Sequence, residues 1–503
     1  MSKRLNLPST LNEKYLRQLN LFVSPCKKSS FLEHALLSLT NQFQQLGHVL
    51  QKRPNKNSDL VFTSAFFGEV IPWNKALLFS PYLKFKIGRT PDIVTLLHAH
   101  PNEFHKVFNQ LEKSLQKMRP DPEDFNFPGL APNAYKVLIE QGRRYGPILA
   151  MARLLQGQIK SFRIILIVGD QKPQFAYSFD AVGSCPLIHH EKLGSQEFYQ
   201  DIALRLASAV STKVVSSHCQ YKRKLTKKQW EFLSSPRELC FAGKELQKRN
   251  FFTNMIKVSD LVKVPKMTKA VSKQYSEGCI ATWDPQLKAL IATPKGSEYA
   301  VSKGNIHKDL FSIIIKPRHD SLGVYYQTVK GQKKVVPSSE AFEMVQLFES
   351  FQKQYQDGQK SFSPIRSFLH GHRGVAKFDP KKVEYVALED HFFSFPVSCA
   401  SGAQANAVYR AFQKLECFKR KDDGRKVAFT LLPCHGVIFI EKWVEQKGPL
   451  QLMWEYIDKG YLQIDSYVPQ GPARYFSNNK GFQEIHLEYD PTFPNKVFLK
   501  AQA

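Results

Sequence analysis

The sequence predicts an α/β protein, with an N-terminal α/β domain of unknown type and a second α/β domain behind it. Two observations lead to this class. Apolar runs rich in β-branched or aromatic residues, such as DLVFTSAFF and FRIILIVGD, are typical of buried strands. They alternate with segments such as NEFHKVFNQLEKSLQKM, in which apolar residues recur at helical spacing. Alternating strands and helices favour sheets covered by helices.

Composition supports a folded chain with more than one core. The 503 residues are 43% hydrophobic and 12% aromatic, which is enough for two to four packed domains. No apolar run approaches the roughly 18 residues that span a bilayer, and the first residues lack the apolar segment of a secretory signal. The eight cysteines contain no C-x-x-C pair, so neither a disulfide framework nor a zinc knuckle is predicted. We expect a cytoplasmic protein without a membrane span.

The formal net charge of +27 would attract nucleic acid, anionic membranes or phosphorylated metabolites. The lysines and arginines are scattered, however, and the short clusters YKRKLTKK and FKRKDDGRK are typical of solvated loops. The pattern therefore does not favour specific binding of nucleic acid. A basic protein that binds nucleic acid or a membrane surface remains an alternative interpretation.

The patterns of apolar and charged residues divide the chain into three parts. Residues 1–220 are predicted to form the N-terminal α/β domain, 221–250 a basic connector, and 251–503 the second domain. Residues 1–58 are interpreted as mixed helix and loop. FRIILIVGD ends in Gly169 and Asp170, a position where α/β proteins bind ligands, but no phosphate-binding glycine motif follows. The histidines of LHAHPNEFH, which are His98, His100 and His105, are interpreted as structural, and the function of residues 1–220 is left open.

The second half begins with two strands, in CIATWDPQLKALIATPKG, joined by a turn at Asp284 and Pro285. A strand pair follows in NIHKDLFSIII and SLGVYYQTVKGQKKVV. PSSEAFEMVQLFESFQKQY is predicted to be an amphipathic helix with Ser338 or Ser339 as its N-cap. VAFTLLPCHGVIFIEKWVE then predicts two strands on either side of Cys434 and His435.

Three histidines in this half have the arrangement of a catalytic metal site. Residues two apart in a strand point to the same face, so His370 and His372 can share one ion. His435 stands at a strand junction beside a glycine that allows the chain to bend. Three neutral imidazoles leave one coordination position open, as in catalytic zinc sites. The sequence therefore predicts Zn²⁺, or another divalent transition metal, with Glu340 as a nearby carboxylate able to move a proton.

A group of residues around the helix start and the first hairpin offers hydroxyls, backbone N–H groups and an ammonium group to an anion. They are predicted to bind a small anionic substrate, and they are Thr293, Lys295, Gly296, Ser338 and Ser339.

The stretches LIATPKG, VPSSEAFEMVQLF, FLHGHRG and CHGVIFIEKWVE, in this order, resemble the class II aldolase/adducin family, of which L-fuculose-phosphate aldolase is a member. The resemblance covers residues 255 to 460 approximately, and the motifs are specific only as an ordered set. It implies an α/β/α domain with a central, mainly antiparallel sheet, and a homo-oligomer. It also implies that His370, His372 and His435 bind zinc and that Glu340 is the acid/base.

The activity that the resemblance implies is that of a zinc-dependent lyase acting on a small anionic hydroxy-carbonyl compound, phosphorylated or not, through an enediolate. Family relatives use the same site as epimerases, dehydratases or decarboxylases. Adducin itself is a non-catalytic assembly protein, which is the second alternative. One departure affects substrate binding: where the family has G-N-x-S, this chain has Gly278, Cys279, Ile280 and Ala281. The asparagine that helps to hold phosphate is therefore missing, although Lys295 supplies positive charge.

Overall fold

The computed structural model describes both halves of the chain, each with gaps. The described residues are 18–24, 29–55, 57–69, 91–117, 151, 154–155, 163–179, 184–186, 193–211, 215–218, 225–249, 251, 278–295, 306–318, 323–332, 335–338, 340–356, 363–371, 374–388, 402–419, 423–432, 436–465, 475–477, 483–485, 487–489 and 497–499.

The N-terminal half forms a seven-stranded sheet in which the first four strand pairings are parallel. Its strands, in chain order, are β1 Asn20–Val23, β2 Val49–Gln51, β3 Leu60–Phe66, β4 Asp92–Ala99, β5 Arg163–Gly169, β6 Pro173–Phe179 and β7 Ser184–Pro186. The order across the sheet is β2-β1-β3-β4-β5-β6-β7, so the chain passes from one side of β1 to the other after β2. β1 and β2 lie in the region interpreted from the sequence as helix and loop, because strands this short carry little periodicity.

Helices pack on both faces of this sheet. They are α1 Ser30–Gln45, α2 Pro101–Lys117 and α3 Gln196–Ser211. α1 and α3 share a buried core on one face, and α2 contributes to the core on the other face. α1 begins where Ser29 accepts a hydrogen bond from the backbone N–H of Leu32, which is a conventional N-cap.

The second half contains a nine-stranded sheet with the order β15-β16-β17-β13-β9-β10-β11-β12-β8. Its strands, in chain order, are β8 Val215–His218, β9 Cys279–Asp284, β10 Ala289–Ala292, β11 Ser312–Arg318, β12 Gly323–Gln327, β13 Ile365–Gly371, β15 Val383–Tyr385, β16 Val427–Leu432 and β17 Gly436–Lys442. The strand between β13 and β15 in the chain, β14 Gly374–Phe378, belongs to another sheet. Six of the pairings in the nine-stranded sheet are antiparallel and the two at its edges are parallel.

Helices cover both faces of this sheet as well. In chain order they are α4 Lys227–Phe232, α5 Ser235–Lys248, α6 Ala341–Gln356, α7 Gly402–Phe412 and α8 Gln451–Asp458. α4, α5 and α8 pack on one face, and α6 and α7 pack on the other. Near the chain end, β14 joins a small sheet with β18 Leu462–Asp465, β19 Tyr475–Ser477 and β20 Gln483–Ile485, and β21 Leu487–Tyr489 pairs with β22 Val497–Leu499.

The predicted boundaries around residue 220 need correction. β8, at residues 215–218, pairs with β12 and so extends the second sheet. The predicted connector contains α4 and α5, and their buried side chains, including Trp230 and Leu239, belong to the core of that sheet. Glu238 on α5 forms an ion pair with Arg366 on β13. The described lysines of α4 and α5, together with Arg237, are exposed on the outer faces of these helices. Such a charge pattern is also typical of a solvated linker.

The predicted mixed α/β class is confirmed for both halves, since each sheet is packed between helices. The predicted hairpin is present as β9 and β10, and Asp284 fixes its turn by accepting the backbone N–H of Leu287 at 2.8 Å. Among the described helices, none combines the length and apolar character that crossing a bilayer requires.

Candidate functional site

The described residues that the sequence predicts to be functional lie along one edge of the nine-stranded sheet, which is formed by the ends of its strands. At this edge β9 and β17 begin while β10 and β13 end, because neighbouring strands here run antiparallel. His370 lies near the end of β13, Thr293 follows β10, and Gly436 opens β17. We call this edge the catalytic edge because part of the predicted catalytic site lies there. It is defined by the strand ends at residues 278–281, 292–295, 370–371 and 436–437.

His370 is fully buried on the catalytic edge. It pairs with Cys279 of β9 on one side and with Ile438 of β17 on the other. Its ring Nδ1 lies 3.1 Å from the carbonyl oxygen of Val437, so in the neutral ring Nδ1–H donates to that carbonyl. This is the way in which metal-binding histidines are commonly oriented, with one nitrogen fixed by a carbonyl and the lone pair on the other.

The other predicted metal ligands, His372 and His435, lie outside the described residues. His372 directly follows Gly371, which pairs with Val437, and His435 directly precedes Gly436. Gly436 has a φ of 128°, a conformation that residues with a side chain rarely adopt. Within the described residues, no three His, Cys, Asp or Glu side chains are grouped so that they could hold an ion.

A short segment, residues 335–338, crosses the catalytic edge and connects it to α6. The hydroxyl of Ser312 donates to the carbonyl of Val335 at 2.7 Å, and Lys295 N–H donates to the carbonyl of Val336 at 2.9 Å. Ser338 N–H donates to the carbonyl of Thr293 at 3.2 Å. These bonds pin the start of α6 beside the end of β10.

Thr293 was predicted to contact a substrate anion, but its hydroxyl is fully buried and bonded to Ile280. Thr293 Oγ1 accepts the Ile280 N–H at 3.1 Å and donates to the Ile280 carbonyl at 3.3 Å. The only hydroxyl proton of Thr293 is thus used to join β10 to β9. The side chain of Thr293 therefore holds the edge together.

Ser338 and Glu340 are both buried and are joined by a short hydrogen bond, in which the Ser338 hydroxyl donates to the Glu340 carboxylate. Ser338 also accepts the backbone N–H of Ala341 on its carbonyl at 3.1 Å. Ser338 is thus a positioning residue for Glu340 at the head of α6. The predicted role of Ser338 as a ligand of the substrate is replaced by this contact, since its hydroxyl proton points at the carboxylate.

Lys295 is the remaining described residue of the predicted anion site, and its side chain is half-buried just beyond β10. The other two predicted anion-site residues, Gly296 and Ser339, lie outside the described part of the chain.

Glu343, which the sequence did not single out, is an acidic group next to Glu340. It is buried one helical turn along α6, and its Oε2 accepts a hydrogen bond from Gln404 of α7 at 3.1 Å. Its Oε1 has no hydrogen-bond partner among the described residues. Burial raises the pKa of Glu343 to about 8; the bond from Gln404 lowers this pKa, and the charge of Glu340 raises it. The sequence did contain a signal for this residue, because Glu343 is an acidic residue on the apolar face of the helical segment AFEMVQLF.

Glu343→Gln is expected to flatten the pH dependence of stability. The folded-state pKa of Glu343 lies above its ordinary value of 4.5, so the wild type loses stability as pH rises from 4.5 to about 8. The full loss is about 3 to 5 kcal/mol in the free energy of unfolding. Measured by urea unfolding, the free energy of unfolding of Glu343→Gln should be close to that of the wild type at acidic pH and higher than that of the wild type at alkaline pH. Parallel pH profiles for the two proteins would contradict a neutral Glu343.

Gly371, between the first two predicted ligands, must be glycine because of its packing. A Cβ added to Gly371 would lie 2.1 Å from the ring of Phe251, which is buried in the core shared with α5 and α8. Gly371→Ala is therefore expected to lower the free energy of unfolding by about 1 to 3 kcal/mol. At Gly448, by contrast, an added Cβ would meet Gln451 at 3.8 Å, an ordinary contact.

Chemical denaturation of both variants checks this prediction. Gly448→Ala should stay within about 0.5 kcal/mol of wild type. Combining Gly371→Ala with Phe251→Leu should recover part of the loss, because the two changes act on one contact. Equal stability of Gly371→Ala and Gly448→Ala would show that Phe251 is not held against this strand.

Comparison of the chain with protein-family models, with curated proteins and with solved structures finds no match. The functional assignment therefore depends on the geometry of the catalytic edge and on the motif resemblance.

Proposed function

We propose that the second half of the chain is a class II aldolase-like lyase that depends on zinc or another divalent transition metal. Its substrate would be a small anionic hydroxy-carbonyl compound. The observation that carries the proposal is the convergence at the catalytic edge. Motifs that are far apart in sequence place His370, Thr293, Lys295, Ser338 and Glu340 around the same strand ends. Convergence of this kind is not expected from three unrelated short matches.

The described donor at this edge fits a divalent metal. His370 is buried and its ring is fixed through Nδ1. Phe368, two residues earlier in the same strand, belongs to the core in which α6 packs. The acidic residues of α6 are therefore on the same side of the sheet as His370. In the proposal His370, His372 and His435 hold the ion. A divalent ion bound there would polarise the carbonyl group of the substrate and stabilise negative charge beside it.

Glu340 would be the group that moves the proton. Its carboxylate is buried, and the Ser338 hydroxyl holds it in one orientation at the start of α6. A carboxylate fixed in this way loses little conformational freedom when it meets a substrate C–H or O–H. Glu343 is mostly protonated at neutral pH, because its pKa is raised to about 8 by burial, so it adds little competing negative charge beside Glu340.

The anion of the substrate would be recognised by Lys295 rather than by side-chain hydroxyls. Thr293 and Ser338 have their hydroxyl protons bonded to Ile280 and Glu340, and neither donates to a ligand in this arrangement. Cys279, which replaces the family's asparagine, is fully buried against His370. We therefore propose that the substrate carries a carboxylate, or a phosphate held mainly by Lys295 and backbone N–H groups.

The same observations favour a second candidate function, a non-catalytic adducin-like protein that uses the fold for assembly. A site that no longer binds substrate would show two of the features seen here. The family's asparagine is missing, and the hydroxyls of Thr293 and Ser338 are bonded within the protein. Epimerase, dehydratase or decarboxylase chemistry at the same edge would use the same histidines and Glu340. In each case we propose a homo-oligomer, as the family resemblance implies.

Proton exchange distinguishes these functions. The zinc-loaded protein is incubated in D₂O with hydroxyacetone, glycolaldehyde or dihydroxyacetone phosphate, and loss of the hydroxymethyl C–H signal is followed by proton NMR. We expect exchange in the wild type and a fall of about 100-fold or more in Glu340→Gln. Glu349→Gln, further along the same helix, is the matched control and should stay within about twofold, since Glu349 lies away from the edge.

Exchange at the wild-type rate in Glu340→Gln would contradict the role of Glu340. A wild-type protein that binds zinc but exchanges no C–H proton of these compounds would favour the adducin-like function.

A further inference from the structure

The first sheet has its own position for a ligand, at the carboxyl end of β1. The strand order reverses there, because β2 lies on one side of β1 and β3, β4 and β5 lie on the other. All five strands run parallel, so their carboxyl ends meet at one edge. In open α/β sheets, ligands bind in the crevice that such a reversal creates. α1 follows β1 in the chain and α2 follows β4, so both helices start from this edge.

His98 occupies this edge at the end of β4 and is only 5% exposed. Its ring stacks on Phe31 in the first turn of α1, with centroids 4.3 Å apart. Its Nε2 lies 2.8 Å from the carbonyl oxygen of Gly169, and a carbonyl can only accept, so Nε2 carries the proton. In the neutral ring Nδ1 therefore presents a lone pair.

No described residue lies within hydrogen-bond reach of His98 Nδ1, although the atom is buried. Leaving a buried polar atom unpaired costs free energy, so such atoms are rare and each calls for an explanation, such as a bound partner. The partner that Nδ1 requires is a donor, such as a hydroxyl or N–H group. The ring is held against α1, so this donor would be beside the start of that helix.

The start of α1 favours a different group, an anion that accepts hydrogen bonds. α1 has 16 residues, and the side chain of Ser29 satisfies only the N–H of Leu32. The preceding N–H groups, of Ser30 and Phe31, begin the helix, where the aligned peptide dipoles favour an anion. Phe31 is the residue on which His98 stacks, so the anion position and the unpaired Nδ1 share one turn.

A third group borders the same edge. His100 follows β4, and its Nδ1 lies 2.8 Å from Asp170, the residue after β5, with both side chains exposed. The rings of His98 and His100 are 5.0 Å apart between centroids. The carboxylate of Asp170 is thus engaged by an imidazole on the rim.

We propose that this edge binds a phosphomonoester, with the phosphate at the start of α1 and a hydroxyl or N–H group of the same molecule donating to His98 Nδ1. A phosphomonoester of a sugar or nucleoside combines the anion and the adjacent donor that the two halves of the edge require. The proposal concerns the first sheet and does not depend on the function proposed for the second.

Two variants remove one half of the site each. Ser30→Pro deletes a first-turn N–H donor at the helical position where proline is best tolerated, and Ser29 before it already has an extended backbone, with φ −149° and ψ 114°. His98→Gln removes the Nδ1 acceptor, and its amide N–H can still donate to Gly169. Lys244→Ala, on the exposed face of α5, is the matched control, because it removes a positive charge outside both candidate sites. Thermal unfolding of each variant verifies its fold.

Isothermal titration uses adenosine 5′-monophosphate, ribose 5-phosphate and inorganic phosphate, with adenosine as the uncharged comparison. We expect the two esters to bind wild type and Lys244→Ala equally, and to bind Ser30→Pro and His98→Gln at least about tenfold more weakly. The ratio between the two esters tells whether a base contributes. The proposal is overturned if neither ester binds the wild type, if both folded variants bind with wild-type affinity, or if Lys244→Ala loses binding to the same extent as they do.

Discussion

Replacing His370 with alanine is expected to reduce bound zinc from about one ion per chain to less than about a tenth of that value. Three imidazoles are the minimum for a catalytic site of this type, and loss of one leaves a two-ligand site that competes poorly with buffer and water. The measurement is metal content by mass spectrometry after gel filtration in zinc-containing buffer. His105→Ala, on the exposed side of α2, is the control and should retain zinc.

His370→Ala also removes the bond to Val437 from a fully buried position, so a second variant separates metal loss from misfolding. His370→Asn retains an N–H donor that can reach the Val437 carbonyl, while it removes the nitrogen that would bind the ion. Both variants should lose zinc, and His370→Asn should unfold at a temperature closer to that of the wild type. Equal zinc in the wild type and in both variants would count directly against the metal site.

Glu441→Ala is expected to lower the free energy of unfolding by about 3 kcal/mol or more. The Glu441 carboxylate is fully buried and accepts the N–H groups of Leu450 and Met453, both at 2.7 Å. It also accepts the hydroxyl of Ser367. Alanine would remove the acceptor that these buried donors share, and would leave the Leu450 N–H only its 3.2 Å bond to the Ser367 hydroxyl oxygen. Leu450 has a φ of 62° that non-glycine residues rarely adopt, and it would be held less firmly.

The control for Glu441 is Glu455, an acid on α8 itself. Glu455 is partly exposed and pairs with Lys447, and surface pairs of this kind contribute at most about 1 kcal/mol. Urea unfolding of Glu441→Ala and Glu455→Ala should therefore differ by at least about 2 kcal/mol. Similar unfolding midpoints for the two variants would show that Glu441 does not hold the start of α8.

Periodicity predicted those elements whose own side chains determine their form. The β9–β10 hairpin follows from two apolar runs and an Asp-Pro turn, and α6 follows from its apolar stripe. The start of α6 was less accurate: of the two serines predicted as N-cap, Ser338 instead donates to Glu340, and Ser339 lies outside the described residues. Helix starts depend on single hydrogen bonds, which composition does not specify.

The sequence did not predict which elements join which sheet. β8 is four residues long, and nothing in Val215–His218 indicates that it pairs with β12, which lies more than a hundred residues later. α4 and α5 were overlooked because lysines and arginines dominate their stretch. The spacing of Leu239, Ala242 and Leu246 was nevertheless that of a buried helical face. Non-local pairing of this kind depends on tertiary packing.

For the catalytic edge, the sequence indicated which residues to consider and the structure indicates what several of them do. His370 and Glu340 are buried beside the strand ends, where the motif pattern predicts the site. The hydroxyls of Thr293 and Ser338 were predicted to bind the substrate, but they make internal hydrogen bonds. A hydroxyl next to a glycine or at a helix start has the same sequence signature in both roles. Only the position of its neighbours distinguishes them.

The most direct test of the central claim is X-ray absorption at the zinc edge of the metal-loaded protein. We expect one zinc per chain, bound by three imidazole nitrogens and completed by oxygen, with no sulfur ligand. The spectrum of His435→Ala should lose one imidazole contribution or the zinc altogether. A wild-type spectrum with fewer than three imidazoles, or with sulfur from a neighbour such as Cys434, would contradict it.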